Sequence, residues 1–351
     1  MRVLAIAADD SSGHYRIRLP VEVLGDDVQA EVFVKDIPII RKRGRRSLIL
    51  PQDCDVFVLQ RPMSHVIPDL ITDAQARGVA VVVEVDDDFH TVQGDNMAFL
   101  QHHPKVNPHN NFHHFAECVR RADLVTCSTD ALAKRYGSHG RVVVLRNYVS
   151  EDWFTIPRRT DGHTIGWAGT TLNHPTDLPA TRGGVAQAMN AHPEWRFVCV
   201  GGGHRPDDVW QQLGIAADRC EVTEWRELGL HELLVSQMDI GIAPLADIAF
   251  NRAKSWLKGL EYAALGIPFV ASDLPEYVLL EEKYGIGQTV PSKGKVWRRH
   301  LDYLMSDDEG RTELGERNRT MAMDLTMEGN AWRWVEAWEM AVKSKRSRRT
   351  G

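Results

Sequence analysis

Lys254, Ser255 and Glu261 are the residues of this 351-residue chain whose types and spacing point most directly at a ligand. Residues 239–245 form a short apolar run, Asp-Ile-Gly-Ile-Ala-Pro-Leu, and a loop through Asn251 follows. The pattern then predicts a helix from about Ala253 to Leu265, ended by Gly266 and Pro268. Lys254 and Ser255 would sit in its first turn, where a lysine opposes the helix dipole unless an anion is present. That anion would be a diphosphate. Glu261, seven residues beyond Lys254, would lie two turns along the same face. Its carboxylate could accept from two adjacent ribose hydroxyls. The rival reading is a surface lysine and glutamate on an amphipathic helix.

Other loops carry weaker signals of the same kind. Residues 164–168 lead into Gly169-Thr170-Thr171, whose backbone N–H groups and hydroxyls suit phosphate oxygens, with His174 and Asp177 just beyond. Gly201-Gly202-Gly203 follows the next apolar run and would either approach a ligand or simply turn the chain. Near the N-terminus, residues 9–20 crowd Gly13, His14, Tyr15, Arg16 and Arg18 after a first strand, without the G-x-G-x-x-G spacing of a dinucleotide site. That crowding suits a substrate loop. Asp86, Asp87 and Asp88 end another strand, where mutual repulsion demands a metal, sugar hydroxyls or a helix cap. Lining a cleft is the favoured use, and no metal is expected. His102, His103, His109, His113 and His114 crowd a loop-like segment with no zinc-ligand spacing.

Such loops need scaffolds. Short β-branched runs at residues 3–8, 28–34, 56–59, 79–85, 124–128 and 142–145 alternate with helical segments. Six more follow at 164–167, 197–200, 220–223, 240–243, 268–271 and 287–290. Continuous apolar strands between helices predict parallel sheets buried on both faces, and twelve are too many for one sheet. The expected organisation is an N-terminal Rossmann-like domain over 1–150, a linker over 151–163 and a C-terminal Rossmann-like domain over 164–325. A last helix over 326–351 would return to the first domain and end in a basic tail. Ligands are expected in the loops after the strands, along a cleft between the domains.

Composition narrows the class. The hydrophobic share of 43% and charged share of 26% describe a globular protein, and the net charge of −6 does not advertise nucleic acid or an anionic membrane. Two clusters stand apart from that balance: Arg41-Lys42-Arg43-Gly44-Arg45-Arg46 and the tail from Lys343 to Arg349. They read as solvated surface, with an acceptor or polyanion contact as the alternative. Five cysteines without a C-x-x-C pair suggest buried thiols in a reducing, cytoplasmic compartment. The opening apolar run is too short for a membrane span.

In this order, residues 165–178, 239–245, 250–258 and 260–268 resemble retaining glycosyltransferases of the GT-B fold that use nucleotide donors. Residues 122–129 and 144–147 are similar to that family's lead into its interdomain linker. The resemblance implies a nucleotide-diphosphate sugar (UDP-, GDP- or ADP-linked) in the C-terminal domain. Gly169, Thr170, Thr171, His174, Gly202, Asn251, Lys254, Ser255, Lys258 and Glu261 would surround it, with Val222 and Trp225 by the base. Gly13, His14, Tyr15, Arg16, Arg18, Asp86 and Asp88 would face the acceptor. Lys254 would neutralise the leaving group, with Asp87 and His114 as acceptor-side catalytic candidates. The acceptor is left open among a glycan, a lipid-linked glycan, a protein hydroxyl and a modified nucleic acid. The family's usual Arg/Lys pair after the C-terminal domain's first strand is absent, with Thr170 to Asp177 in its place, and Ala253 stands where a first glutamate is usual. That alanine keeps a non-catalytic sugar-nucleotide-binding scaffold, or an epimerase of the same fold, as the alternative.

Overall fold

Runs such as Ala80–Val85 are wholly apolar but for Glu84, and a strand buried on both faces is the element that can absorb them. In the computed structural model, which describes residues 1–42, 44–103, 106–158, 162–202, 207–224, 226 and 229–350, every such run is a parallel strand. The chain forms two compact units. Unit 1 comprises Met1–Gly94, Ala98–Tyr148 and Met327–Gly351; unit 2 comprises Asp95–Met97 and Val149–Thr326.

Unit 1 holds β1 (Arg2–Ala7), β2 (Gln29–Val34), β3 (Ile39–Lys42), β4 (Arg45–Leu48), β5 (Val56–Gln60), β6 (Ala80–Val85), β7 (Leu124–Cys127) and β8 (Val142–Val144). Six of these make a parallel sheet in the order β2-β1-β5-β6-β7-β8. The basic cluster, expected as a solvated loop, is instead the antiparallel hairpin β3–β4, with Arg41 opposite Arg46 and Lys42 opposite Arg45. The segment after unit 2 closes this unit's core. Trp334 is 1% exposed, donates its indole N–H to the Arg16 carbonyl at 3.1 Å and lies beneath the Arg16 guanidinium.

Unit 2 holds β9 (Thr164–Ala168), β10 (Arg196–Val200), β11 (Cys220–Thr223), β12 (Ile240–Ala243), β13 (Phe269–Ser272) and β14 (Gln288–Val290), all parallel in the order β11-β10-β9-β12-β13-β14. Its core packs Trp167, Trp195, Phe197 and Trp297 against Ile240, Val270 and Leu301. Two glycines are required by close approach. A Cβ on Gly241 would come within 2.7 Å of the Tyr262 ring, and one on Gly202 within 2.3 Å of the Val222 side chain.

Each sheet reverses its winding once, between β1 and β5 in unit 1 and between β9 and β12 in unit 2. Chains leaving neighbouring strands there diverge to opposite faces and open a crevice beyond the strand ends. The loops after these four strands are therefore the places where the fold exposes convergent polar groups.

Candidate functional site

The unit 2 crevice collects the residues that the sequence singled out. Asp177 is buried between two partners: His174 Nδ1 lies 2.9 Å from Oδ2, and Asn251 Nδ2 donates to Oδ1 at 3.2 Å. The same Asn251 amide also donates to the Ala246 carbonyl at 3.1 Å, which ties the loop after β12 to the loop after β9. Asn251 is thus a buried brace rather than an exposed group.

The expected helix start is corrected here. Asn251–Ala253 is a separate 3-10 turn, Lys254 is extended at φ −69°, ψ 144°, and the helix runs only over Leu257–Ala264. Lys254 and Ser255 therefore precede the helix instead of opening it. The apolar spacing that suggested continuity begins at Trp256, which is fully buried and fixes the N-terminus by packing. The N-cap residue, Trp256, supplies no side-chain cap to that end. Lys258, second in the helix, is the first-turn lysine.

Lys258 sits 4.8 Å over the Trp167 ring, and a Cβ on Gly169 would come within 3.1 Å of its Nζ. Burial pulls its ammonium below the usual lysine range, against the attraction of Asp177 and Glu261. Burial likewise holds the His174 imidazole down, aided by Lys254 and Lys258 and opposed by Asp177. Lys254 lies 4.4 Å over the Phe250 ring. Glu261, one turn after Lys258, is 7% exposed. Two lysines, an uncapped helix end and the Gly169 loop so converge on one small volume, which is chemistry for an anion.

Other expected donor contacts are placed less simply. Thr170 Oγ1 accepts from the Leu172 amide at 3.3 Å, and Thr171 is buried. Gly202 donates its N–H to the Thr223 carbonyl at 3.0 Å and packs on half-buried Val222. Trp225 and Gly203 lie outside the described residues.

In unit 1 the switch-point loops meet through a residue the sequence reading missed. Arg61, directly after β5 and at φ 47°, pairs with Asp9 and donates to Ser12 Oγ at 2.7 Å, with Nε 3.4 Å from Asp86. Gln60 donates from Nε2 to both Ser12 Oγ and Asp86 Oδ2 at 3.0 Å. The available signal was the Gln60-Arg61-Pro62 stop at the end of an apolar strand. Asp87 adds to the field on Arg61 and on His102, whose imidazole burial drives down to about 4. Gly13 is needed by crowding, since its Cβ would come 2.8 Å from that of Ala7. His14, pushed down to about 4 by burial and Arg18, packs edge-on against buried Tyr15, and Arg18 donates to the Asp10 carbonyl at 2.8 Å.

Two substrate candidates are corrected. Arg16 is 1% exposed and committed to Glu84, the Leu145 carbonyl and Asn147, so it braces the core rather than facing an acceptor. Asp88 is buried between Tyr136 and Arg135. Asp87 and His114 fall among different partners: His114 faces His65 at 6.2 Å and His113 at 5.6 Å. Among the described residues no group of three His, Cys, Asp or Glu side chains converges to hold a metal. No described helix is long and apolar enough to cross a membrane.

No protein-family model matches the chain. It is similar to TuaH of Bacillus subtilis (strain 168), named provisionally as a teichuronic acid biosynthesis glycosyltransferase, at 27% identity over 189 residues. That stretch spans 47% of this chain and 44% of the relative, so the match covers less than half of either. Among solved structures, HepE from Anabaena in complex with UDP matches at TM-score 0.65 and 13% identity, over 96% of this chain and 99% of that one. Sucrose-phosphate synthase from Thermosynechococcus elongatus matches at TM-score 0.63 and 13% identity, over 97% and 98%. At such identity the likeness is one of fold, and the fold is GT-B: two Rossmann-like units with parallel sheets.

Proposed function

We propose that this protein is a glycosyltransferase that moves a sugar from a nucleotide-diphosphate donor to an acceptor hydroxyl, with retention at the anomeric carbon. The observation that carries the proposal is the convergence of Lys258, Lys254, Gly169 and the uncapped helix end at the unit 2 switch point. That set suits a diphosphate, and Glu261, one turn on, suits the ribose. The likeness to a UDP-bound structure and to a relative named as a glycosyltransferase supports the same reading.

In this reading Lys258 and Lys254 neutralise the charge that develops on the leaving diphosphate, and no protein nucleophile is required. His174, held neutral by its surroundings, donates or accepts a hydrogen bond without adding charge. Unit 1 holds the acceptor, with Asp86, Asp87 and the Asp9–His14 segment as its polar groups. No metal enters the scheme, because lysines and backbone N–H groups can fill that role. Ala253, a buried methyl in the 3-10 turn, favours the second reading, a sugar-nucleotide-binding protein without transfer.

The test is thermal unfolding of the pure protein with UDP, GDP and ADP and their sugars, with and without Mg²⁺. A ligand at about a hundred times its dissociation constant adds about 2.7 kcal/mol of stability. One nucleotide stabilising wild type but not Glu261→Ala supports the donor site. Release of free nucleotide without any acceptor dependence would count against transfer.

A further inference from the structure

The hairpin β3–β4 sets like charges against each other. Arg41 is directly opposite Arg46, and Lys42 is opposite Arg45 in the backbone register. Opposed like charges destabilise a strand pair, so the arrangement makes sense when something anionic lies over it. The hairpin is nonetheless held firmly. Asp73, from the helix Ile67–Ala76, accepts from Ser47 Oγ and the Leu48 amide, both at 3.0 Å, and Arg77 donates to the Leu48 carbonyl at 2.6 Å.

Between hairpin and helix lies a cavity of about 710 Å³ lined by Arg41, Gly44, Arg46, Val66, Asp69 and Asp73. It is not a plain anion pocket, because Asp69 and Asp73 both bring carboxylates to the same space, Asp73 already accepting from Ser47 and Leu48. A second cavity of about 410 Å³, lined by His65, His109 and Asn111 among others, begins one residue before Val66. Their linings are neighbours along the chain at His65 and Val66. Arginines match carboxylates or phosphates in two-point geometry, whereas Asp69, Asn111 and imidazole nitrogens match hydroxyls. A ligand with both kinds of group along its length is an acidic saccharide chain. Nucleic acid fits less well, since no Phe, Tyr or Trp among the described residues lines either cavity to stack a base.

We propose that these two cavities of unit 1 together form an extended binding site for an acidic oligosaccharide, its charge carried by uronate or phosphate groups. The proposal rests on the transferase reading in one respect: it names the class of acceptor whose growing chain would occupy the site. Arg41 and Arg46 take the anionic group, and Asp69 together with the His65–His109 side takes the hydroxyls of neighbouring sugars.

Binding of a fluorescently labelled oligogalacturonate to the full chain, without nucleotide, tests it. Unlabelled oligogalacturonate, a glycerol-phosphate oligomer, a neutral malto-oligosaccharide of equal length and inorganic phosphate serve as competitors. Vesicles rich in phosphatidylglycerol provide a separate arm, because Ile40 and Ile49 are 52% and 51% exposed beside the arginines. Expected are salt-sensitive binding, no competition by the neutral chain, and a loss of roughly tenfold or more in Arg46→Ala, the size of one charge-assisted hydrogen bond. Asp69→Asn should weaken the oligosaccharide, and the stronger of the two charged competitors identifies the anionic group. Equal competition by the neutral chain or by inorganic phosphate overturns the proposal, as do unchanged affinity in Arg41→Ala/Arg46→Ala or capture by vesicles alone. Nucleotide stabilisation measured on the same variants keeps the two readings apart. Oligosaccharide binding without any nucleotide response would sink the donor site and leave this one standing.

Discussion

Arg16 and Glu84 form a buried ion pair in unit 1, Nε to Oε1 at 2.8 Å and Nη2 to Oε1 at 2.7 Å, with side chains 1% and 2% exposed. Thr126 donates to the other carboxylate oxygen, and Arg16 Nη1 donates to the Leu145 carbonyl and to Asn147 Oδ1. Burial pushes the Glu84 carboxyl up to about 7, against the pull of Arg16. Removing one partner strands the other. Arg16→Met should cost about 3–5 kcal/mol in urea unfolding. The double variant Arg16→Met/Glu84→Met should recover much of that loss; a double variant no better than Arg16→Met would show that the pair is not what the site depends on.

Lys258→Met separates binding from folding. Its ammonium is held below its usual range by burial, so an apolar chain of similar length should leave the melting temperature unchanged or raise it. Nucleotide affinity, by calorimetry, should fall by about tenfold to a hundredfold, one charge-assisted contact. Unchanged affinity would move the diphosphate away from the Gly169–Lys258 corner.

Gly241→Ala probes the packing beneath that corner. The new methyl would meet the Tyr262 ring, whose hydroxyl accepts from the Ala168 amide at 2.9 Å and donates to the Ile242 carbonyl at 3.2 Å. Moving the ring breaks both bonds, so a loss of about 1–3 kcal/mol or more is expected in denaturant unfolding. Adding Tyr262→Leu should relieve the clash without restoring the bonds. A fully stable Gly241→Ala would mean that the ring has room to shift.

Acid should weaken the fold through its neutral histidines. Burial, with Lys258 nearby, drives His231 down to about 4, and His14 and His102 are depressed to the same range. An unfolded histidine takes up its proton near 6.5 while these stay neutral, so the unfolded state binds more protons between about 6.5 and about 4. Stability is therefore complete above that window and is lost as pH falls through it. His231→Phe, which keeps a ring beside Trp153, should lose less of its denaturation midpoint than wild type between about pH 7.5 and about pH 5. Parallel losses would clear His231 of any part in it.

The sheets were legible because their strands are continuous apolar runs, such as 79–85 and 240–243, that no other element accommodates. The hairpin was not, because residues 39–48 pair through backbone bonds while their side chains are largely charged and show no alternating face. The helix start at Leu257 was missed for a related reason: spacing reports which side chains are apolar and not where φ and ψ change, and Lys254 is extended. Arg61 was invisible as a lone arginine after a strand, since its importance lies in meeting Asp9 and Asp86 from two other loops. Arg16 misled in the opposite way, a basic residue in a glycine loop that turns inward.

The return of Met327–Gly351 to unit 1 reverses the order of making and finishing. On the ribosome the strands of unit 1 emerge first, yet Trp334, which covers Arg16, is translated only after all of unit 2. Unit 2 can mature while unit 1 waits with an open seam, so a ribosome that stops anywhere short of the closing helix releases a chain whose defect lies in its oldest part. Whatever inspects nascent chains for exposed apolar surface would find it there, and an abortive product would be marked in unit 1 rather than at the point where it was cut short.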